Sequence, residues 1–300
     1  MSTTYHIPVL RDESINSLNI NPSGSYVDLT FGGGGHSRAI LEKLSPEGRL
    51  YAFDQDSDTF LNIPDDNRIV FIHSNFRFMR AQLRALGIES VDGVFADLGV
   101  SSHHFDEASR GFSFRFDAPL DMRMNRTATR SAKEIIATYS HSDLIKIFRD
   151  YGELKMPHKI ASAIVNTREE NPILTTQDLI NAVERYTPKR EENRFLAKLF
   201  QAIRIEVNLE MESLKMMLEQ SVKMLKPDGV LSIITYHSLE DRIVKNFMKS
   251  GNYEGKITTD LYGRSSSELE PLRKIILPTD EEIEINSRAR SAKLRVAIKQ

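Results

Sequence analysis

The sequence predicts an α/β protein: a parallel sheet interrupted by a helical insertion of roughly a hundred residues. Two observations carry this. In the front third, short apolar runs alternate with amphipathic stretches, and after residue 102 the apolar period becomes helical until a strand pattern resumes at residue 230. Residues 26–29, 50–54, 69–73 and 93–98 read as buried strands, being short, β-branched or aromatic, and bounded by Gly, Asn or Asp. Helical patterns at 37–44 and 78–86 lie between them. Residues 109–130 show no period and several arginines, which reads as a long ordered loop. Separate helices follow at 142–151, 157–167 and 176–186, with Thr175 as an N-cap and Asn171-Pro172 as a break. One long helical stretch is expected over 193–225, ending at Lys226-Pro227-Asp228-Gly229, a turn that launches a strand at 230–236. Further strands are expected at 275–277 and 292–298.

Composition narrows the function classes. Of 300 residues, 40% are apolar, enough for a substantial core, and there is no cysteine. That absence excludes disulfides, thiolate nucleophiles and cysteine-ligated metals. His103-His104 is too short a cluster to define a metal site, so none is expected. No apolar run is long enough to span a membrane, and charged residues occupy the start where a signal peptide would be apolar; a cytoplasmic protein is expected. Net charge is −2, but its distribution is uneven. Arg110, Arg115, Arg123, Arg126, Arg130 and Lys133 face only Asp117 and Asp121 in residues 109–133, and the tail 287–300 carries Arg288, Arg290, Lys293, Arg295 and Lys299 without an acid.

The segment Tyr26-Val-Asp-Leu-Thr-Phe-Gly-Gly-Gly-Gly-His36 is a strand, a glycine turn and a helix start. A phosphate-binding loop would need a lysine after the glycines, and a dinucleotide fingerprint would need glycine where Ser37 stands. What remains is a nucleoside site without a pyrophosphate, which fits S-adenosylmethionine. Gly32, Gly34 and Gly35 let the backbone approach the ligand, whose carboxylate can sit near the helix start, and Asp28 is placed for its amine. Asp54 ends the second strand, where a carboxylate can accept both ribose hydroxyls, and Asp97 ends the fourth. Each acid alone is more readily a helix cap or turn residue; three at three strand ends together favour a site in one crevice.

Further blocks carry a resemblance. His6-Ile-Pro-Val-Leu10, Asp28-Leu-Thr-Phe-Gly-Gly-Gly-Gly-His-Ser37, Asp97-Leu-Gly-Val-Ser-Ser102 and Arg110-Gly-Phe-Ser-Phe114 appear in order. They are followed by Asp117-Ala-Pro-Leu-Asp-Met-Arg-Met-Asn125, Phe200-Gln-Ala-Ile-Arg-Ile-Glu-Val-Asn208, His237-Ser-Leu-Glu-Asp-Arg-Ile-Val-Lys245 and Arg288-Ala-Arg-Ser-Ala-Lys-Leu-Arg295. Together they resemble the signature of the ribosomal RNA small subunit methyltransferase H family, also called MraW, across essentially the whole chain. The resemblance implies a class I, Rossmann-like S-adenosylmethionine-dependent methyltransferase domain formed by residues 1–108 and 205–300, with an inserted helical substrate-recognition domain at 109–204. It implies methyl transfer to N4 of a cytidine in 16S rRNA, near the P site of the small subunit. Carried onto this chain, the cofactor contacts are Gly34, Gly35, His36, Asp54, Phe76, Asp97 and His104. Three departures stand out: His104 where many relatives have Gln, Asn193-Arg-Phe-Leu-Ala-Lys198 in place of a usual His-Pro-Ala-x-Arg, and Tyr236 in place of the commoner Phe.

These readings set expectations for roles. Asp97 is the candidate acceptor for hydrogens on N4, and His237 is either a base-orienting or proton-relay group or the cap of the next helix. The target base must leave its stack to be methylated. Phe112, Phe114 and Phe116, interleaved with Arg110 and Arg115, can stack a base and hold phosphates; phenylalanines are expected inward and arginines outward. Arg123, Arg288 and Arg290 would extend that RNA surface. The competing classes are a non-catalytic RNA-binding assembly factor on a methyltransferase fold and a methyltransferase acting on DNA or a small molecule. Intact Asp28, Gly32–Gly35, Asp54 and Asp97 argue against the first, and near-neutral charge argues against a duplex DNA binder, as no membrane or DNA partner is expected.

Overall fold

A computed structural model describes residues 8–100, 102–257 and 267–300. His6 and Ile7 of the first signature block and Ser101 of the third lie outside the described residues. The chain forms two compact units, residues 1–99 with 211–300 and residues 100–210. No helix among the described residues is long and apolar enough to cross a membrane.

The first unit is built on a seven-stranded sheet. Its strands are β1 (Ser25–Asp28), β2 (Arg49–Asp54), β3 (Ile69–His73), β4 (Val91–Asp97), β5 (Leu225–Thr235), β6 (Leu269–Pro271) and β7 (Lys293–Lys299). The order across the sheet is β3-β2-β1-β4-β5-β7-β6; the first five neighbours pair parallel, and β7 runs antiparallel to both β5 and β6. Successive residues of the central strands feed opposite faces. Val27, Tyr51, Val94 and Ile233 pack with the helices Met79–Ala85, Glu210–Met224 and Ser238–Ser250, while Tyr26, Leu50, Phe95 and Ile234 pack with Arg11–Ser17 and Gly35–Leu41. Burial on both faces is why these strands read as unbroken apolar runs. Because the chain leaves β3 at one edge and returns as β4 on the far side of β1, the strand order reverses beside β1. Ligands bind at the carboxyl ends of strands at such a reversal.

Three predicted elements differ. The helix expected over 193–225 is two helices, Glu192–Asn208 and Glu210–Met224, parted at Leu209, which takes a left-handed φ of 51°. Asn208 draws the end of the first helix toward the loop before it, its amide donating to Met122 O and accepting from Met124 N. A one-residue break without Gly or Pro leaves no mark in the apolar period. The strand expected from residue 230 starts at Leu225, and the Pro-Asp-Gly turn is an irregularity inside it, with a register shift opposite residues 91–93. Residues 275–277 make only an isolated bridge, Ile276 with Leu294, because Pro278 two positions on has no N–H to extend the ladder; the paired edge strand is β6.

The second unit has its own core, in which Ile135, Ile136, Leu144, Phe148, Ile160, Ile164, Leu179 and Ile203 are buried together. Its long loop is pinned by Gly111. That residue has φ +69°, and a Cβ on it would lie 2.3 Å from Pro119 O. Gly111→Ala combines a left-handed penalty of about 1–2 kcal/mol with a backbone overlap, so a loss of roughly 2–5 kcal/mol is expected. A urea titration followed by circular dichroism measures it; a midpoint unchanged from the parent would refute the constraint.

Candidate active site

The turn after β1 is held from three sides. Gly32 and Gly34 have φ of 50° and 75°, and a Cβ on Gly34 would come 2.9 Å from the Phe31 ring, so this path requires glycine. Asp54 Oδ2 accepts from Gly32 N at 2.8 Å, and its Oδ1 accepts from Asp56 N at 2.9 Å. Behind the turn, Asn62 donates to Gly32 O at 3.0 Å, and Arg38 donates to Gly33 O at 2.7 Å and to Asn62 O at 2.9 Å. With its carbonyls and one N–H tied down, the turn keeps one shape before any ligand arrives.

Asp28 serves that shape directly. Its side chain is wholly buried, with Oδ2 accepting from Ser37 Oγ at 2.6 Å and Oδ1 from Thr30 N at 3.0 Å. The contact with a ligand amine expected of Asp28 is therefore not available; the residue fixes the turn and the helix that follows.

Asp97 is different. Its backbone N–H donates to Thr30 Oγ1 at 2.7 Å, while its side chain remains 24% exposed. Oδ1 accepts from the Tyr236 hydroxyl at 2.8 Å, and Oδ2 lies 3.9 Å from His36 Nδ1. His36 Nε2 is 3.0 Å from Val9 O. A carbonyl can only accept, so Nε2 carries the proton and Nδ1 presents a lone pair. Two acceptors thus face each other across a gap that a shared donor, such as an amino group, would fill.

The electrostatics favour a cationic or amino ligand. Burial pushes the carboxyls of Asp28 and Asp54 up to about 6, partly offset by their hydrogen bonds. Burial takes Asp97 higher, to about 7; the Tyr236 hydrogen bond opposes that, and the nearby acids Asp28 and Glu240 add to it. His36 is pulled down to about 4 by burial and stays neutral. Acids at elevated values gain when positive charge or a hydrogen-bond donor comes near them.

The remaining predicted residues fall as follows. Phe76 begins a short 3-10 turn after β3, half-buried against the sheet core, and the neighbouring Asn75 donates to Gln55, the residue after Asp54, at 2.7 Å. This places an aromatic ring at the same strand edge as Asp54. His237 caps the helix Ser238–Ser250: its Nδ1 accepts from Glu240 N, and its Nε2 lies 3.0 Å from Glu240 Oε1. Of its two expected readings the structure shows the cap; Nε2, although close to Glu240, is buried without a well-formed hydrogen bond.

In the second unit, His104 is buried with its ring 4.8 Å from Phe112. Arg110 is not outward as expected. It is 3% exposed and donates to the carbonyls of Arg123 and Met124, because the loop needs a donor for its inward carbonyls. Arg123 is likewise engaged, with both Asp121 oxygens and Ala128 O. Phe114 packs edge-on against Phe200, Phe112 is buried, and Phe116, expected inward, is exposed at 46%. Arg115 is exposed. Arg288 and Arg290 lie in the 3-10 turn Ser287–Ser291 of the first unit, half-buried and exposed respectively. Sequence reasoning missed Thr30, Ser37, Arg38 and Asn62 as supports of the turn. Ser37 had a signal in its place after the glycines; Asn62, thirty residues from its partner Gly32, had none.

A Rossmann-like sheet in this order, with one antiparallel strand next to its far edge, a glycine turn after β1 and carboxylates at the tips of β2 and β4, defines a class I methyltransferase. The MraW methylase family model matches residues 3–300. The chain belongs to that family. It is 53% identical over 297 residues to the ribosomal RNA small subunit methyltransferase H of Parabacteroides distasonis, covering 98% of this chain and 97% of the relative. It is 52% identical over 301 residues to the protein of the same name from Flavobacterium johnsoniae, covering both completely.

Proposed function

We propose that the protein transfers a methyl group from S-adenosylmethionine to N4 of a cytidine in 16S rRNA, near the P site of the small ribosomal subunit, and acts in the cytoplasm where that particle is assembled. The observation that carries the reading is the acceptor pair of Asp97 Oδ2 and His36 Nδ1 beside a rigid glycine turn and the Asp54 carboxylate. The names of the relatives supply the substrate class, and the family resemblance supplies the atom.

The residues fit the cofactor. Each Asp54 oxygen has a second lone pair beyond its backbone contact, and these suit ribose hydroxyls; Phe76 suits the adenine, and residues 32–35 suit the amino-acid end. S-adenosylmethionine supplies an electrophilic methyl group on a sulfonium. The chain must do the rest. N4 of cytosine is a poor nucleophile because its lone pair is conjugated into the ring, so alignment matters most, and positioning alone is worth up to roughly 7–11 kcal/mol. Asp97 Oδ2 accepts one N4 hydrogen and takes the proton the methylated nitrogen sheds, a role suited to a carboxyl whose value is about 7. Asp28 acts through the turn.

The insertion at 109–204 and the tail are the proposed RNA-facing parts, with Arg115 and Arg290 as exposed phosphate contacts. RNA affinity is expected to fall steeply with salt, and Arg115→Ala or Arg290→Ala each to flatten the log–log slope by about one. Arg110→Ala and Arg123→Ala are expected to lower stability instead. Filter binding at several salt concentrations separates the two groups; equal slopes for Arg115→Ala and the parent would remove Arg115 from the surface.

Incubation with labelled S-adenosylmethionine and purified small subunits or 16S rRNA, followed by nucleoside mass analysis, tests the whole reading. N4-methylcytidine is expected. Its absence, or label in a different nucleoside, overturns the proposal.

A further inference from the structure

We propose that Tyr236 is a positioning residue for Asp97, its hydroxyl holding one carboxylate oxygen so that the other is presented to the amino group being methylated. The inference rests on the role given to Asp97 above. Ile234 of β5 pairs with Asp97 of β4, so the chain leaving β5 passes Asp97 two residues later. The Tyr236 backbone is fixed there, its N–H donating to Glu240 Oε2 at 3.1 Å. Its ring lies over Gly99, where an added Cβ would be 3.5 Å away. From that perch the hydroxyl donates to Asp97 Oδ1 at 2.8 Å.

The surroundings explain why a donor matters. The titratable groups facing Asp97 are Asp28 at the tip of β1, His36 on the helix Gly35–Leu41 and Glu240 on the helix Ser238–Ser250. Two are acids, and His36 is neutral with its lone pair toward Oδ2. All three disfavour the carboxylate form or leave it unaided. The phenol alone among these neighbours donates a hydrogen to it, and by occupying Oδ1 it leaves Oδ2 directed at the gap shared with His36. Phenylalanine would keep the ring packing and lose both effects.

Tyr236→Phe tests this in two ways. The Asp97 carboxyl, assigned in a carbon-13 NMR spectrum by its loss in Asp97→Asn, is expected to titrate about one pH unit higher in the variant than in the parent. In methyl transfer to small subunits, the loss at pH 6.5 is expected to exceed the loss at pH 9 by about tenfold, because one unit is a factor of ten in the ionised fraction. Coincident Asp97 titrations, or a loss equal at both pH values, would overturn the proposal and leave Tyr236 a packing residue. The NMR readout needs no cofactor or RNA, so it decides the role of Tyr236 even if the parent methylates nothing, an outcome that would sink the functional reading separately.

Discussion

Asp97→Asn is expected to yield a protein that is more stable than the parent at pH 8 and at least about 100-fold slower in methyl transfer. The two effects have one origin. In the folded protein Asp97 gains its proton near pH 7, against about 3.9 in an unfolded chain. The folded state therefore binds more protons than the unfolded state between those values, and this group's contribution to stability falls as pH rises through that window. Above pH 7 the buried charge costs on the order of a few kcal/mol, which a neutral amide of the same shape avoids. The stability gain should shrink as pH falls through that window and vanish only below about pH 3, where both states of the parent are protonated. The rate loss, about 10²–10⁴ for a missing proton acceptor, should be complete above pH 7 and narrow below it, where the parent's own carboxyl is increasingly protonated. Thermal melts at pH 4.5 and 8 and single-turnover methylation with small subunits check both halves. Full turnover with unchanged cofactor affinity would remove Asp97 as the acceptor.

Asp54→Asn is expected to weaken S-adenosylmethionine binding by about 30- to 100-fold with little change in fold. Asp54 receives two backbone N–H groups, one on each oxygen, from Gly32 and Asp56. An asparagine can accept only one of them and turns its NH₂ toward the other, so a donor faces a donor. Hydrogen bonds to a charged group contribute about 1.5–3 kcal/mol each, and the turn shape and the ribose contacts depend on the same two oxygens. Calorimetry with the cofactor measures the loss. Unchanged affinity would mean that the β2 tip is not part of the cofactor site.

The parallel half of the sheet was legible because its strands are buried on both faces and punctuated by turn residues; β3 matches residue for residue and β2 within one residue. The far edge was not. β6 has three residues, and each pairs with a residue of β7 between 26 and 30 positions away in sequence. In the site, Asp54 and Asp97 could be read because their position at strand ends is a local property. The supports that make them functional are long-range: Asn62 reaches Gly32, and Tyr236 reaches Asp97 across 139 positions. Nothing in their neighbours encodes that. Arg110 misled for a related reason. A cluster of arginines reads as solvated surface, yet a long loop turns carbonyls inward, and the guanidinium of Arg110 was drawn in to meet them.

The interleaved position of β7 bears on how this molecule is made. β7 is synthesised after β5 yet pairs with its second half, from Val230 opposite Ile298 to Thr235 opposite Lys293. A nascent chain that has just released β5 carries an apolar strand with its outer row of amides uncovered, a template for pairing with another polypeptide. The insertion faces no such delay, since its buried cluster is drawn from one continuous stretch, residues 112–207, and can condense while translation is still under way. The catalytic half is thus the last to be sealed, and it is the part of the chain for which a chaperone would matter most.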